Sequence, residues 1–139
     1  MNTLIVLLAA VVSLAGAQTD APECHCGMFI THYHEEYEVH RLPPFDLDDC
    51  SAFKRCKKKC ALEYDTYTNG GDLNYRLDNG YTVGQEICIQ MAQKHNVGDL
   101  WDETVYGYAR QCNGPWDYDG ESSINNLCCS RGHFVKCEE

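Results

Sequence analysis

The sequence predicts a small α+β domain that contains more helix than strand and is held together by disulfide bonds. Three observations lead to this fold class: ten cysteines in 139 residues, cysteines at helical spacing within residues 46–67, and an alternating apolar and polar pattern over residues 29–41. We expect two main helices, a short third helix, and a short N-terminal strand or hairpin.

The N-terminal segment has the features of a signal peptide. The apolar run from Leu4 to Leu14 has the length of a signal-peptide core, and small residues follow it at 15–17. We therefore predict a signal peptide over residues 1–17, secretion, and a single extracellular domain over residues 18–139. All charged side chains follow Ala17, so the mature domain keeps the net charge of −10.

An even number of cysteines behind a signal peptide predicts disulfides formed in an oxidising compartment. Cys24 and Cys26 are too close in the chain to pair easily with each other, as are Cys128 and Cys129, so each should bond to a more distant cysteine. The connectivity otherwise stays open. The cysteines predicted to form five bridges are Cys24, Cys26, Cys50, Cys56, Cys60, Cys88, Cys112, Cys128, Cys129 and Cys137.

The segment 29–41 has the period of a strand with one buried face. A hairpin that turns near Glu35 and Glu36 fits the same pattern. One side of the expected strand carries Phe29, Thr31, Tyr33, Tyr37 and Val39, and the other carries His32, His34, Glu36, Glu38 and His40.

The first helix is expected over residues 46–67, after two prolines that interrupt the chain. Three aspartates crowd its start, where the helix dipole favours negative charge. Residues at steps of three or four share one face, which disulfides would attach to the rest of the domain. That face consists of Cys50, Phe53, Cys56, Cys60, Tyr64 and Tyr67.

The second helix is expected to begin after Thr82 and to end near His95. Thr82 and Gln85 form a capping-box pattern in front of an apolar stripe. Residues 100–112 fit either a strand or a short helix. A short third helix is predicted to begin at Ser122 or Ser123 and to run through the Cys128–Cys129 pair.

The net charge and the absence of catalytic motifs exclude several classes of function. A net charge of −10 opposes binding to nucleic acid and to anionic lipid. No apolar run after the signal peptide is long enough to predict a membrane span. The sequence lacks the Gly-x-Ser-x-Gly, His-Glu-x-x-His and phosphate-loop motifs, so we predict no catalysis and no cofactor.

Five of the eleven cations lie within six residues of the first helix. Such a basic run predicts a positive patch for an acidic receptor, a sulfated glycan or a channel vestibule. The alternative is a solvated helix face whose charge is offset by acidic neighbours. The basic run consists of Lys54, Arg55, Lys57, Lys58 and Lys59.

Two further sets of residues are candidate sites. His32 and His34 project the same way on a strand, so they could share zinc or copper, with His40 or a carboxylate completing the site, although we favour an exposed polar strand face as the explanation. Aromatic residues in the C-terminal half could line a pocket for a small apolar ligand, supply interface anchors, or fill a small core. These are Trp101, Tyr106, Tyr108, Trp116 and Tyr118.

The function predicted from these features is that of a secreted, non-catalytic interaction protein, of the class of toxin-like or defence effectors that bind a receptor or channel. One alternative is a carrier of a small apolar ligand, for which the aromatic residues would supply the pocket. A further alternative is an acidic extracellular matrix or mineral-associated protein, suggested by the excess of carboxylates.

The predicted signal peptide gives a direct test. Intact-mass measurement of the natural product should show a chain that begins at Gln18, with or without cyclisation of that glutamine, and no free thiols. A product that retains residues 1–17, or that reacts with several equivalents of a thiol reagent, would contradict secretion through an oxidising compartment.

Overall fold

The computed structural model describes residues 21–138, so the predicted signal peptide lies outside the described residues. Two antiparallel sheets and two helices make up the domain. Strands account for 38% of the described residues and helices for 24%, so the prediction of a helix-leaning α+β fold is wrong. The two main helices and the N-terminal hairpin are present, but the short third helix is replaced by strands.

The strands are β1 (Glu23–His32), β2 (Glu35–Arg41), β3 (Phe45–Asp46), β4 (Leu100–Glu103), β5 (Tyr106–Gln111), β6 (Trp116–Ser122), β7 (Leu127–Ser130) and β8 (His133–Val135). The helices are α1 (Phe53–Thr68) and α2 (Val83–Lys94). The large sheet has the order β2-β1-β5-β6, with β3 also paired to β1, and the small sheet has the order β4-β7-β8.

The hairpin alternative for the N-terminal segment is confirmed. Strands β1 and β2 are joined by a two-residue turn at Tyr33 and His34, two residues earlier than expected. Both turn residues have positive φ, 50° and 68°, as a tight hairpin turn requires.

The turn also decides which side chains face the core. Phe29 pairs with Glu38, so between the turn and the β-bulge at Met28 and Phe29 the odd-numbered residues of β1 lie on the same side as the even-numbered residues of β2. Tyr37 therefore lies on the side opposite Phe29, against the core that contains Val39. The prediction that Phe29, Tyr37 and Val39 share one face is wrong. The position of the turn sets the pairing of the two strands, and this pairing places Phe29 on the face opposite Tyr37 and Val39.

Helix α1 begins seven residues later than expected. Phe45 and Asp46 pair with β1 instead, and Asp49 accepts a hydrogen bond from the backbone N–H of Ser51 at 2.8 Å, which shapes the turn before the helix. Its buried face contains the predicted residues Cys56, Cys60 and Tyr64, whereas Cys50 precedes the helix.

Helix α2 matches its prediction closely. The Thr82 hydroxyl accepts a hydrogen bond from the backbone N–H of Gln85 at 3.1 Å, which caps the helix. The Gln85 side chain does not return to Thr82; it bonds Gly132 and Phe134 of the small sheet. Helix α2 thus lies between β2 of the large sheet and strands β7 and β8 of the small one.

The predicted third helix is wrong, because Ser122 ends β6 of the large sheet, residues 123–126 connect the two sheets, and residues 127–130 form β7 of the small sheet. Leu127 and both adjacent cysteines are buried in β7, which pairs with β4 on one side and β8 on the other. The expected cap at Ser123 instead accepts a hydrogen bond from the backbone N–H of Val105 at 3.0 Å. The Ser123 hydroxyl and the backbone of β7 therefore form their hydrogen bonds with residues distant in the chain rather than within a helix.

Five disulfides confirm the predicted involvement of all ten cysteines. None links Cys24 to Cys26 or Cys128 to Cys129, as their proximity in the chain predicted. The pairs are Cys24–Cys56, Cys26–Cys60, Cys50–Cys112, Cys88–Cys129 and Cys128–Cys137.

Within residues 21–138, no helix has the length and apolar character needed to cross a membrane. The five disulfides are compatible with an extracellular protein.

The disulfides should contribute unequally to stability. Removing Cys26–Cys60 as a pair of Cys→Ala substitutions should lower the free energy of unfolding by about 2–5 kcal/mol. Removing Cys128–Cys137 should cost about 1 kcal/mol less, because it closes a separation of 9 residues rather than 34. Urea unfolding followed by circular dichroism measures both; an equal loss would contradict the loop-length explanation.

Candidate functional site

Aromatic side chains cover the outer face of the large sheet, the side away from α1. Phe29 packs against Tyr108 and Trp116, with ring centroids 4.8 and 5.0 Å apart. Tyr118 contacts Tyr106 at 5.8 Å and Tyr108 at 6.3 Å in edge-to-face geometry. We call this surface the aromatic face; it consists of Phe29, Tyr106, Tyr108, Trp116 and Tyr118.

The alternation of strand residues explains why these rings point outward. On β1, Cys24 and Cys26 bond to α1 and therefore face inward, so Gly27 and Phe29 face outward. Gly27 leaves room for the Phe29 ring, which would lie 2.9 Å from a Cβ at that position, and the Trp116 ring lies beside it at 3.4 Å. Four of the five aromatic residues singled out in the sequence thus meet on one surface and belong to neither buried core cluster.

Charged residues frame the aromatic face. The Arg41 guanidinium lies 4.9 Å from the Trp116 ring centre and donates two hydrogen bonds to the Glu38 carboxylate, at 3.0 and 2.7 Å. Arg110 lies 6.0 Å from the same ring. Tyr108 donates a hydrogen bond to the Glu36 carboxylate at 3.1 Å. Arginine and neighbouring rings therefore hold Trp116 in one orientation.

Burial raises the pKa of Tyr108 to about 12, and its bond to Glu36 acts in the same direction. The phenol therefore stays protonated at neutral pH and keeps its hydrogen to donate. The aromatic face presents neutral rings bordered by both signs of charge.

Trp101, the fifth aromatic residue of the predicted set, lies elsewhere. It belongs to β4 of the small sheet and lines a cleft of about 560 Å³ together with Tyr33 and Leu100. His32 Nδ1 lies 3.4 Å from Glu103 Oε1 across this cleft. We call it the hairpin cleft, since it separates the β1–β2 turn from the small sheet.

The basic run is partly neutralised in the folded chain. Arg55 lies 3.8 Å from Asp48, and Lys57 lies 3.3 Å from Asp117. The Lys59 ammonium lies 4.2 Å from the ring centre of Phe45, whereas Lys54 and Lys58 are exposed. Because α1 packs on the inner side of the large sheet, the basic run and the aromatic face lie on opposite sides of it.

The three histidines proposed as metal ligands are held apart. His32 contacts Glu103, His34 occupies the exposed hairpin turn, and His40 stacks on Tyr67 with ring centroids 4.4 Å apart. Among residues 21–138, converging groups of potential ligands contain no histidine, and their cysteines are disulfide-bonded. The predicted zinc or copper site is therefore not assembled from these histidines.

An acidic cluster lies between α1 and β6 and is formed by Asp65, Asp119 and Glu121. Burial raises the pKa of Asp119 from 3.8 to about 6, against a hydrogen bond from the Glu121 backbone that lowers it. Burial and a hydrogen bond with Asp65 raise the pKa of Glu121. The sequence did not indicate that Asp65 joins Asp119 and Glu121, because only folding brings Asp65 beside β6.

Sequence reasoning also missed Phe29, Arg41 and Arg110 as members or neighbours of the aromatic face. They lie on three different strands, and only the register of the sheet brings them together around Trp116. The alternation of Tyr106, Tyr108 and Arg110 along β5 was the one local signal for this surface.

Comparison of the chain with protein-family models, with curated proteins and with solved structures found no match.

The acidic cluster predicts an unusual dependence of stability on pH. Since the pKa of Asp119 is higher in the folded state than in the unfolded state, folding binds protons, and stability falls as pH rises from about 4 to about 7. Asp119→Asn should reduce this fall, because the amide cannot ionise yet still accepts the bond from Glu121.

Thermal unfolding at pH values from about 4 to about 7 tests this dependence. Asp117→Asn is the matched control, because its carboxylate is exposed and paired with Lys57. The control should retain the wild-type pH slope. If Asp119→Asn also retained that slope, the assigned role of burial at Asp119 would be wrong.

Proposed function

We propose that this chain is a secreted, non-catalytic interaction protein that binds an extracellular protein or receptor through its aromatic face. The observation that carries the proposal is a set of half-buried and exposed Tyr, Trp and Arg side chains on a sheet braced by disulfides. These residue types are enriched among the residues that dominate protein–protein binding energy.

The rigidity of the aromatic face supports this role. Phe29 packs against both Tyr108 and Trp116, and Arg41 is fixed by two hydrogen bonds to Glu38. A partner would therefore immobilise few additional rotamers when it binds, so little conformational entropy would oppose association.

Other surfaces support the alternatives less well. Carriage of a small apolar ligand calls for an enclosed apolar cavity, whereas the clefts of about 880, 560 and 490 Å³ are open and partly polar. The basic run has three of its five cations already engaged with Asp48, Asp117 and Phe45. A matrix or mineral role depends on net charge alone.

Site-directed photocrosslinking tests the proposed surface. Tyr118, which is 41% exposed on the aromatic face, would be replaced by p-benzoylphenylalanine and the protein irradiated with extracellular material of the source tissue. A discrete crosslinked protein should form. The same replacement at Leu62, which is 59% exposed on α1, should give no such product.

A second substitution makes the result specific. Trp116→Ala should weaken binding to the crosslinked partner by roughly 30-fold, the loss typical of an interface hot spot. Lys58→Glu on α1 should change the affinity less than about twofold. A reversed order of these two effects would assign binding to the basic run and refute the aromatic face.

A further inference from the structure

Two strongly exposed aromatic side chains line the hairpin cleft. Tyr33 is 85% exposed and Trp101 is 52% exposed. Their positions are set by unusual backbone: φ is 50° at Tyr33 and 56° at Asp102, next to Trp101. A bulky residue at positive φ is uncommon, so the fold holds Tyr33 at the rim against a local conformational cost.

The polar part of the cleft is acidic. Asp99 and Glu103 contribute carboxylates, and His32 is the one basic side chain among the residues that line the cleft. Leu100 and Cys129 form a buried apolar floor, each only 2% exposed. The cleft therefore combines aromatic walls, an apolar base and negative charge.

Both carboxylates are positioned by the fold itself. Glu103 Oε1 lies 3.4 Å from His32 Nδ1, so it is held between the hairpin and the small sheet. Asp99 Oδ1 accepts a hydrogen bond from the backbone N–H of Arg131 at 2.8 Å. An ionised carboxylate can accept several hydrogen bonds, so each retains capacity to bind a ligand.

We propose that the hairpin cleft binds a small organic ammonium ion that carries an apolar or aromatic body. The aromatic rings of Tyr33 and Trp101 can attract a cation through their quadrupoles, and the carboxylates attract it by charge. The apolar floor accommodates the hydrocarbon part of the same molecule. A volume of about 560 Å³ lies within the range of small-molecule sites.

Tryptophan fluorescence provides a local readout, because the chain contains only two tryptophans. Trp116→Phe leaves Trp101 as the sole reporter, and Trp116 lies on the aromatic face, outside the cleft. Titration of this variant with 2-phenylethylamine should give a saturable change in emission. The neutral analogue 2-phenylethanol should bind at least about tenfold more weakly, because it lacks the charge.

Substitution of the carboxylates separates charge from shape. Glu103→Gln should weaken 2-phenylethylamine at least about tenfold and leave 2-phenylethanol unchanged. Asp99→Asn, which can still accept the bond from Arg131, is the second variant if loss of the His32 contact unfolds the first. Asp117→Asn, an exposed carboxylate on β6 outside the cleft, is the matched control and should bind like the parent.

Each remaining outcome overturns the proposal. Equal affinities for the amine and the alcohol would show that charge plays no part. Unchanged amine binding in both Glu103→Gln and Asp99→Asn would show that the amine binds elsewhere. If millimolar amine produced neither a saturable change in Trp101 emission nor a measurable heat of binding, the cleft would not bind organic ammonium ions.

Discussion

The double covalent link between β1 and α1 is the constraint on which the rest of the structure depends. Cys24 and Cys26 lie two residues apart on one side of the strand, and their partners Cys56 and Cys60 lie one turn apart on the helix. Two bonds at these spacings fix both the position and the direction of the helix on the sheet. They also fix which side of β1 is inside, so Phe29 must face away from the helix.

The same division separates the charges from the aromatic rings. The cations of α1 lie on the helix side of the sheet, where Lys57 meets Asp117 and Arg55 meets Asp48. The aromatic face on the other side needs no covalent link of its own, because Trp116 packs over Gly27 and beneath the Arg41 guanidinium. A net charge of −10 therefore coexists with one largely neutral surface suited to protein contact.

The small sheet is joined to the large one mainly through α2 and the hairpin. Cys88 of α2 bonds to Cys129, and the aromatic edge of His95 packs against Tyr37 with ring centroids 5.0 Å apart. This junction leaves the hairpin cleft open between the two sheets. The aromatic face and the hairpin cleft are thus two separate surfaces, one extended and suited to a macromolecule, the other concave and suited to a small molecule.

The sequence by itself determined the cysteine framework, the cap at Thr82, and the buried stripe of Cys56, Cys60 and Tyr64, and it left a strand or a hairpin open for residues 29–41. The framework, the cap and the stripe follow from the spacing of residues that are close in the chain, and this spacing does not depend on what the helix packs against. Tertiary structure alone decided the disulfide connectivity, the strands at 100–103 and 127–130, and the side of the hairpin that faces the core. Each depends on cross-strand register between residues far apart in the chain, and register is set by packing of the whole sheet rather than by any local pattern.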